Sequence, residues 1–164
     1  TSLMVVKAGK AKDIREARIL LEETLDSGKA LQVMKEWIVA QGGTAEEVEH
    51  PDLLPQALCQ EAVCAEKSGF VTKIHTEEIG RICMLLGGGR AKKGDPIDLS
   101  VGLVLRKKVG DPVHSGESLA ILHANDREKL AEAKERLLKA YEIKKEPVAV
   151  RPLIWKILDG TEAE

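Results

Sequence analysis

Three consecutive glycines at residues 87–89, followed by Arg90, Lys92 and Lys93, are the residues of this sequence best placed to bind a phosphate. The backbone amides of a glycine turn and the neighbouring cations can together hold an anion. Phosphate loops, however, usually precede a helix, where free amides and the positive end of the helix dipole face the ligand. Here a helix-like run at 77–86 comes first, so the glycines lie at its negative end. This order favours a helix C-cap and a tight turn over an anion-binding or partner-contact site.

A second pattern lies at residues 107–119, which read Lys-Lys-Val-Gly-Asp-Pro-Val-His-Ser-Gly-Glu-Ser-Leu. Its glycines permit positive φ at tight turns, and Val113 and Leu119 are placed to fill a small sandwich. The pattern resembles the strand-turn-strand signature of biotinyl and lipoyl carrier domains, and residues 67–71 resemble their returning strand. A carrier presents a modifiable lysine at a hairpin tip, whereas His-Ala-Asn stands at the corresponding positions, 123–125. We therefore expect the sandwich without the carrier chemistry.

The other candidates for catalysis are scattered along the chain. The four histidines form no metal-binding or catalytic pair and are expected on the surface or in turns: His50, His75, His114 and His123. The three cysteines include no close pair and are expected to be reduced, small core residues: Cys59, Cys64 and Cys83. Adjacent glutamates at 46–47 and 77–78 fan apart on a helix and suit capping better than acid–base work. The sequence thus predicts no catalytic, substrate-binding or metal-binding residue and no cofactor.

Helical periodicity and capping signals dominate residues 1–50. Asp13 followed by Glu16, and Thr44 followed by Glu47, match the capping box, in which two side chains satisfy free amides at the start of a helix. Apolar residues then recur at helical spacing. The predicted helices end at Gly-containing pairs, 27–28 and 42–43, because glycine tolerates the left-handed conformation found there.

Pro51 and Pro55 interrupt the chain and predict a linker at about residues 50–57. Beyond it the period changes, with strands expected at 58–65, 70–74, around Val113 and at 119–122. Five alternating apolar residues predict a further strand with one buried face: Ile97, Leu99, Val101, Leu103 and Leu105.

Two helices are predicted among these strands. Thr76 is expected to cap the first, at 77–86, and Asn125 the second, at 126–141. The inward face of the second helix is expected to comprise Leu130, Ala133, Leu137 and Ala140. The remaining predictions are a closing strand at 148–150, a short final element at 153–158 and a frayed charged tail after Asp159.

Composition limits the classes of function. The net charge of −2 and the 2% of aromatic residues argue against a nucleic-acid partner. No apolar run approaches the roughly 20 residues of a membrane span, and no signal-peptide pattern opens the chain. We therefore expect a cytoplasmic protein without membrane contact. The apolar start at 1–7, which lacks an initiator methionine, indicates a cut through a longer chain, or alternatively a processed N-terminus.

Together the motifs resemble the C-terminal third of pyrimidine-nucleoside phosphorylase, of the thymidine phosphorylase family. The most specific stretches are Leu-Gly-Gly-Gly-Arg-Ala-Lys-Lys at 86–93 and Asp-Pro-Ile-Asp-Leu-Ser-Val-Gly at 95–102. Shorter matches lie in order at 16–18, 27–30, 40–43, 53–57, 69–71, 110–111, 116–117 and 121–123.

The resemblance implies a pentosyltransferase that cleaves a pyrimidine nucleoside with phosphate, giving free base and pentose 1-phosphate. The family holds phosphate and base with residues from the earlier part of its chain, so the isolated chain is expected to be inactive. Its expected partners are the missing N-terminal part of the same enzyme and, in the full-length enzyme, a second subunit of a homodimer.

The implied fold is α+β. Residues 1–55 would be a helical segment of the larger α/β domain, and residues 56–164 a β-sandwich or barrel-sandwich-hybrid module, α/β-hammerhead-like, with flanking helices. Three alternatives remain at this stage: a biotinyl- or lipoyl-like binding or carrier module, a separate structural partner that completes an enzyme in trans, and a related nucleotide phosphorylase with a similar tail.

Overall fold

Capping signals near residues 13 and 44 determine where helices begin in the first part of the protein. A computed structural model describes residues 1–150 and 152–158, and the chain divides into two compact units, Thr1–Leu54 and Pro55–Glu164. The first unit consists of α1 (Ser2–Lys7), α2 (Ile14–Asp26), α3 (Lys29–Ala40), α4 (Ala45–Glu49) and a 3-10 turn at Pro51–Leu53.

The two predicted capping boxes differ in the structure. Thr44 and Glu47 form the complete box, since each side chain accepts a hydrogen bond from the other residue's amide. Asp13 accepts from the amide of Glu16 at 2.8 Å, but the Glu16 carboxylate accepts from Lys12 rather than from Asp13. The first prediction is therefore right for the cap residue and wrong for the reciprocal bond.

The second unit contains two three-stranded antiparallel sheets and two helices. Its elements are β1 (Cys59–Cys64), β2 (Gly69–Ile74), α5 (Thr76–Leu86), β3 (Gly102–Leu105), β4 (Pro112–Val113), β5 (Ser118–Ala124), α6 (Arg127–Ala140) and β6 (Tyr141–Lys144). The strand orders are β1-β5-β3 and β4-β2-β6, so β5 and β2 are the central strands. The coarse α+β prediction is confirmed.

One hydrophobic core lies within this second unit and draws on both sheets and both helices. Val63, Val71 and Leu122 are fully buried in it, one from each of β1, β2 and β5. All four residues of α6 that were predicted to face inward are buried, and Leu130, Ala133 and Leu137 belong to this core. Burial of these apolar side chains is the main stabilising contribution to this unit.

The strand predicted from the alternation at 97–105 is only half present. β3 begins at Gly102, and Leu99 is 80% exposed. The amide and the hydroxyl of Ser100 both donate to one carboxylate oxygen of Asp98, at 2.9 and 2.6 Å. This local turn competes with an extended backbone, so the alternation at its first positions does not describe a strand.

Both predicted caps of the second unit are wrong by one residue. Thr76 is the first residue of α5, and His75 occupies the N-cap without a side-chain bond. Asp126, not Asn125, caps α6, because its carboxylate accepts from the amides of Glu128 and Lys129.

The closing strand also differs from the prediction. β6 follows α6 directly and pairs with β2, with Tyr141 opposite Ile74 and Lys144 opposite Phe70. Residues 148–150 and 153–158 are neither helix nor strand, in a stretch where prolines cannot donate to a sheet. The predicted frayed tail after Asp159 lies outside the described residues. In the part of the chain that is described, no helix has the length and apolar character to cross a membrane.

Candidate functional site

The glycine turn at 87–89 is the C-cap of α5. Gly87 has φ of +108°, a left-handed conformation that suits glycine. The amides of Gly87 and Gly88 donate to the carbonyls of Met84 and Cys83, at 3.1 and 2.9 Å. These two amides therefore complete the helix end and are not available to cradle a phosphate. The predicted C-cap and tight turn are confirmed.

Gly88 is required for a different reason, the closeness of its neighbours. A Cβ at this position would lie 2.8 Å from the Cys83 sulfur and 3.3 Å from the carbonyl oxygen of Val101. The glycine thus allows α5 to pack tightly against the segment that leads into β3.

The basic residues after the turn lie on a ten-residue excursion, 88–97, which we call the basic loop. The amide of Asp98 donates to the carbonyl of Gly87 at 3.0 Å and closes the base of the loop. We call this closed base, formed by Gly87 and Asp98, the neck of the loop. Arg90, Lys92 and Lys93 are all exposed on it. A cleft of about 360 Å³ adjoins the neck and is lined partly by Pro96, Ile97 and Lys129.

Asn125 lies beside the neck, where β5 ends. Its amide nitrogen donates to Asp98 at 2.7 Å and to the Ser100 hydroxyl at 2.9 Å, and its oxygen accepts from the amide of Leu58 at 2.7 Å. The hydrogen bonds from Ser100, and then that from Asn125, lower the pKa of Asp98. Sequence reasoning missed this cluster, because Asn125 reads as an ordinary helix cap.

The carrier-like turns at 107–119 are held by the half-buried side chain of Lys107. Its ammonium donates to the carbonyl of Pro112 at 2.9 Å and pairs with Glu117 at 2.5 Å. The second oxygen of Glu117 accepts from the amide of His114 at 2.9 Å. Lys107, and next the His114 amide, lower the pKa of Glu117. Lys107 therefore braces the turn instead of standing free for modification.

The position at which a carrier would present its lysine is also occupied differently. His123 and Ala124 are the last residues of β5, Ala124 is buried, and α6 follows almost at once. No hairpin tip forms there, so a carrier or binding module of the biotinyl or lipoyl type is not favoured.

Several charged groups on α5, α6 and β6 form ion pairs. Arg136 contacts Glu78 at 2.6 Å and Glu132 at 3.3 Å, and Arg136 lowers the pKa of Glu78. His75 lies 3.1 Å from Glu142 and lowers the pKa of that carboxyl. These carboxylates favour the ionised state and are unsuited to act as proton donors near neutral pH.

The remaining histidines and cysteines stand apart from these groups. His50 and His114 are exposed, and His123 is half-buried in β5. The three cysteines are free thiols, but the prediction that they are core residues is wrong for Cys64, which is exposed, while the other two are half-buried. Among residues 1–150 and 152–158, no three His, Cys, Asp or Glu side chains are grouped as a metal ion would require.

The fold and these contacts define a class: an α+β module in which many of the polar groups form caps, turns and ion pairs. Residues 70–144 match the family described as pyrimidine nucleoside phosphorylase C-terminal domain. Residues 70–144 are therefore similar to that C-terminal domain, and the resemblance seen in the sequence is confirmed.

Curated relatives extend the match beyond that domain. The chain is 51% identical over 124 residues to a pyrimidine-nucleoside phosphorylase of Staphylococcus aureus strain bovine RF122 / ET3-1, and 50% identical to those of strains USA300 and NCTC 8325. Each match covers 76% of this chain and 29% of the relative. The chain thus spans less than a third of the length of the curated relatives it matches.

Proposed function

We propose that this chain is the C-terminal part of a pyrimidine-nucleoside phosphorylase, which converts a pyrimidine nucleoside and phosphate into free base and pentose 1-phosphate. The observation that carries the proposal is the 51% identity over 124 residues to an enzyme of that name, in a match covering 29% of its length. Identity at this level extends through both helical and sheet-forming segments, so it reflects more than a shared small fold.

Within such an enzyme, the role of this part is that of a scaffold beside the reaction cleft. The family's phosphate and base ligands belong to its earlier residues. In this chain, several groups that could serve the same task are already used: the amides of Gly87 and Gly88 cap α5, and the Arg136 guanidinium pairs with Glu78. A scaffold contributes to rate by positioning, since small displacements of reacting groups are costly.

The finer architecture is part of the same proposal. We assign residues 56–164 to a barrel-sandwich-hybrid module of the α/β-hammerhead type, because both three-stranded sheets contribute side chains to one core. We assign residues 1–55 to the helical part of a larger α/β domain. The partners are the preceding part of the same enzyme and, in the complete enzyme, a second subunit.

A chimeric enzyme tests the family assignment. The matched 124 residues of this chain would replace the corresponding residues of the Staphylococcus aureus enzyme, and base release from uridine and thymidine would be measured with phosphate present. We expect kcat and KM within about tenfold of the parent, since a scaffold swap leaves the reacting groups in place. A folded chimera without activity contradicts the assignment.

The purified 164-residue chain tests the scaffold role in the same assay, with the intact Staphylococcus aureus enzyme as the positive control. We expect no base release above the rate without protein. Sustained turnover by this chain alone would show that the reacting groups lie within it.

A further inference from the structure

The side chain of Asn125 makes three hydrogen bonds, which run to segments on both sides of β5. Its oxygen accepts from the Leu58 amide at 2.7 Å. Its nitrogen carries two hydrogens, one donated to Asp98 at 2.7 Å and the other to the Ser100 hydroxyl at 2.9 Å. A primary amide is the side-chain group that offers an acceptor on one side and two donors on the other.

This arrangement continues the sheet beyond the end of its backbone ladders. The last β1–β5 pair is Cys59 with Ala124, and the last β3–β5 pair is Gly102 with His123. Asn125 is the next residue of the central strand. Its side chain reaches Leu58, the residue before β1, on one side and the segment before β3 on the other. The Asn125 side chain therefore adds a hydrogen-bonded link on each side of β5, beyond the last backbone pairs of both ladders.

The segment held on the β3 side is the neck of the basic loop. The Asp98 amide closes the loop on the Gly87 carbonyl at 3.0 Å, and the Asp98 carboxylate is the group that Asn125 grips. Asp98 also accepts from Ser100 twice, so its position is fixed by contacts on both sides. The loop itself carries Arg90, Lys92 and Lys93 into solvent.

We propose that Asn125 is a positioning residue that anchors both the start of β1 and the basic loop, each through a different end of one side-chain amide. Asn125 is the one asparagine among the 164 residues, and the N-cap of α6 is the next residue, Asp126. Asn125 is exposed, so water competes for each bond and the expected effects are a few-fold rather than all-or-none.

An Asn125→Asp variant separates the two halves of this anchoring. The carboxylate can still accept from the Leu58 amide, but it cannot donate to Asp98, and two carboxylates at this distance repel. Asn125→Ala removes both halves. Ser68→Ala is the matched control, because it deletes a bond of similar length, from the Ser115 amide to the Ser68 hydroxyl at 2.9 Å, in a different turn.

Two readouts follow the two halves. Trypsin cleavage after Arg90, Lys92 and Lys93, timed by mass spectrometry, reports the basic loop, and hydrogen exchange of the Leu58 amide reports the start of β1. In Asn125→Ala we expect both to become roughly fivefold faster, the factor that one lost hydrogen bond represents. In Asn125→Asp only the cleavage accelerates, and in Ser68→Ala neither changes.

Selective labelling with ¹⁵N-asparagine adds a direct observation, because the chain then gives one side-chain amide pair. We expect its hydrogens to exchange more slowly than those of a free asparagine amide, and to lose that protection in an Asp98→Ala variant. Unchanged loop cleavage in Asn125→Ala, an unprotected amide pair, or equal acceleration in Ser68→Ala would each overturn the proposal. If Asn125→Ala does not fold, Asn125→Asp and the amide pair decide the outcome.

Discussion

The phenol of Tyr141 donates a hydrogen bond to the main-chain carbonyl of Lys107, with 3.0 Å between the two oxygens. The same hydroxyl lies 3.5 Å from the carbonyl of Leu119 in β5. Tyr141 itself is the first residue of β6, so this one side chain joins the two sheets of the second unit. Burial, and to a smaller extent the charge of Asp111, raises the pKa of Tyr141 to about 12.

Tyr141→Phe is expected to lower the free energy of unfolding by about 1 kcal/mol at neutral pH, because the ring remains buried and a hydrogen bond is lost. In the native protein, the raised pKa makes stability fall as pH rises from about 10 towards 12, since the unfolded chain releases its phenolic proton first. The phenylalanine variant should lack this part of the alkaline loss.

Urea titrations of both proteins at neutral pH and at stepped alkaline pH measure this difference, and the native-minus-variant comparison removes contributions from lysines. Parallel alkaline curves for the two proteins would contradict the assignment of the raised pKa to Tyr141.

Two glycines at one helix should respond to alanine in opposite directions. Gly87→Ala places a Cβ on a residue with φ of +108° and is expected to cost about 1 kcal/mol or more. Gly80→Ala lies within α5, where a Cβ would meet nothing within 4 Å, and is expected to gain about 0.5–1 kcal/mol.

Thermal and urea unfolding of the two variants measure these changes, and each variant serves as the control for the other. A stabilised Gly87→Ala protein would show that the C-cap conformation is not maintained in solution.

The pair between Glu78 and Arg136 should make stability depend on acid pH. Because Arg136 lowers the pKa of Glu78 below its ordinary value of 4.5, the contribution of the pair is fully present above that value and is lost as pH falls through the folded-state pKa. Glu78→Gln should therefore be less stable than the native protein at pH 7 and should lose less stability on acidification.

Glu77→Gln is the matched control, because it removes the same charge from the preceding residue, whose side chain is 81% exposed. A smaller effect is expected there, since exposed pairs contribute little. Urea unfolding midpoints from pH 3 to pH 7 measure these differences. Identical pH profiles for Glu78→Gln and the native protein would contradict a stabilising contribution from the Glu78–Arg136 pair.

Local signals predicted the parts of the structure that depend on neighbouring residues. The burial of Leu130 and Leu137 followed from helical spacing alone, and the glycine C-cap from the order of elements. The errors arise where the local structure depends on a partner that is distant in the sequence. β6 forms because the edge of β2 is available to Tyr141–Lys144, and its four residues carry no strand signal that outweighs the helix before them.

The Asn125 cluster was beyond sequence reasoning for the same physical reason. Its partners Leu58 and Asp98 are separated from it by 67 and 27 residues, and only the pairing of β5 with both β1 and β3 brings them together. The alternation of apolar residues at 97–101 predicted a strand that does not form. Such a pattern reflects only side-chain polarity, whereas the turn at 98–100 is set by a hydrogen bond from the Ser100 amide to the Asp98 carboxylate.

The first unit, Thr1–Leu54, exposes a stripe of apolar residues on α3. Leu31, Met34 and Trp37 recur at a spacing of three and are all exposed, Trp37 by 60%. Met34→Glu is therefore expected to change the free energy of unfolding by less than about 0.5 kcal/mol, as surface substitutions generally do. It should at the same time reduce binding of a hydrophobic dye and self-association, because the apolar patch is interrupted.

Ala17→Glu is the contrasting variant in the same unit, because Ala17 is fully buried in α2 and the substitution would place a carboxylate at this buried position. It should destabilise the unit by several times more than Met34→Glu, since burying an unpaired charge is costly. Dye fluorescence, sedimentation and urea unfolding of the two variants supply the comparison. A large loss of stability in Met34→Glu would show that the α3 stripe is covered in the folded chain, which would contradict the exposure of this face.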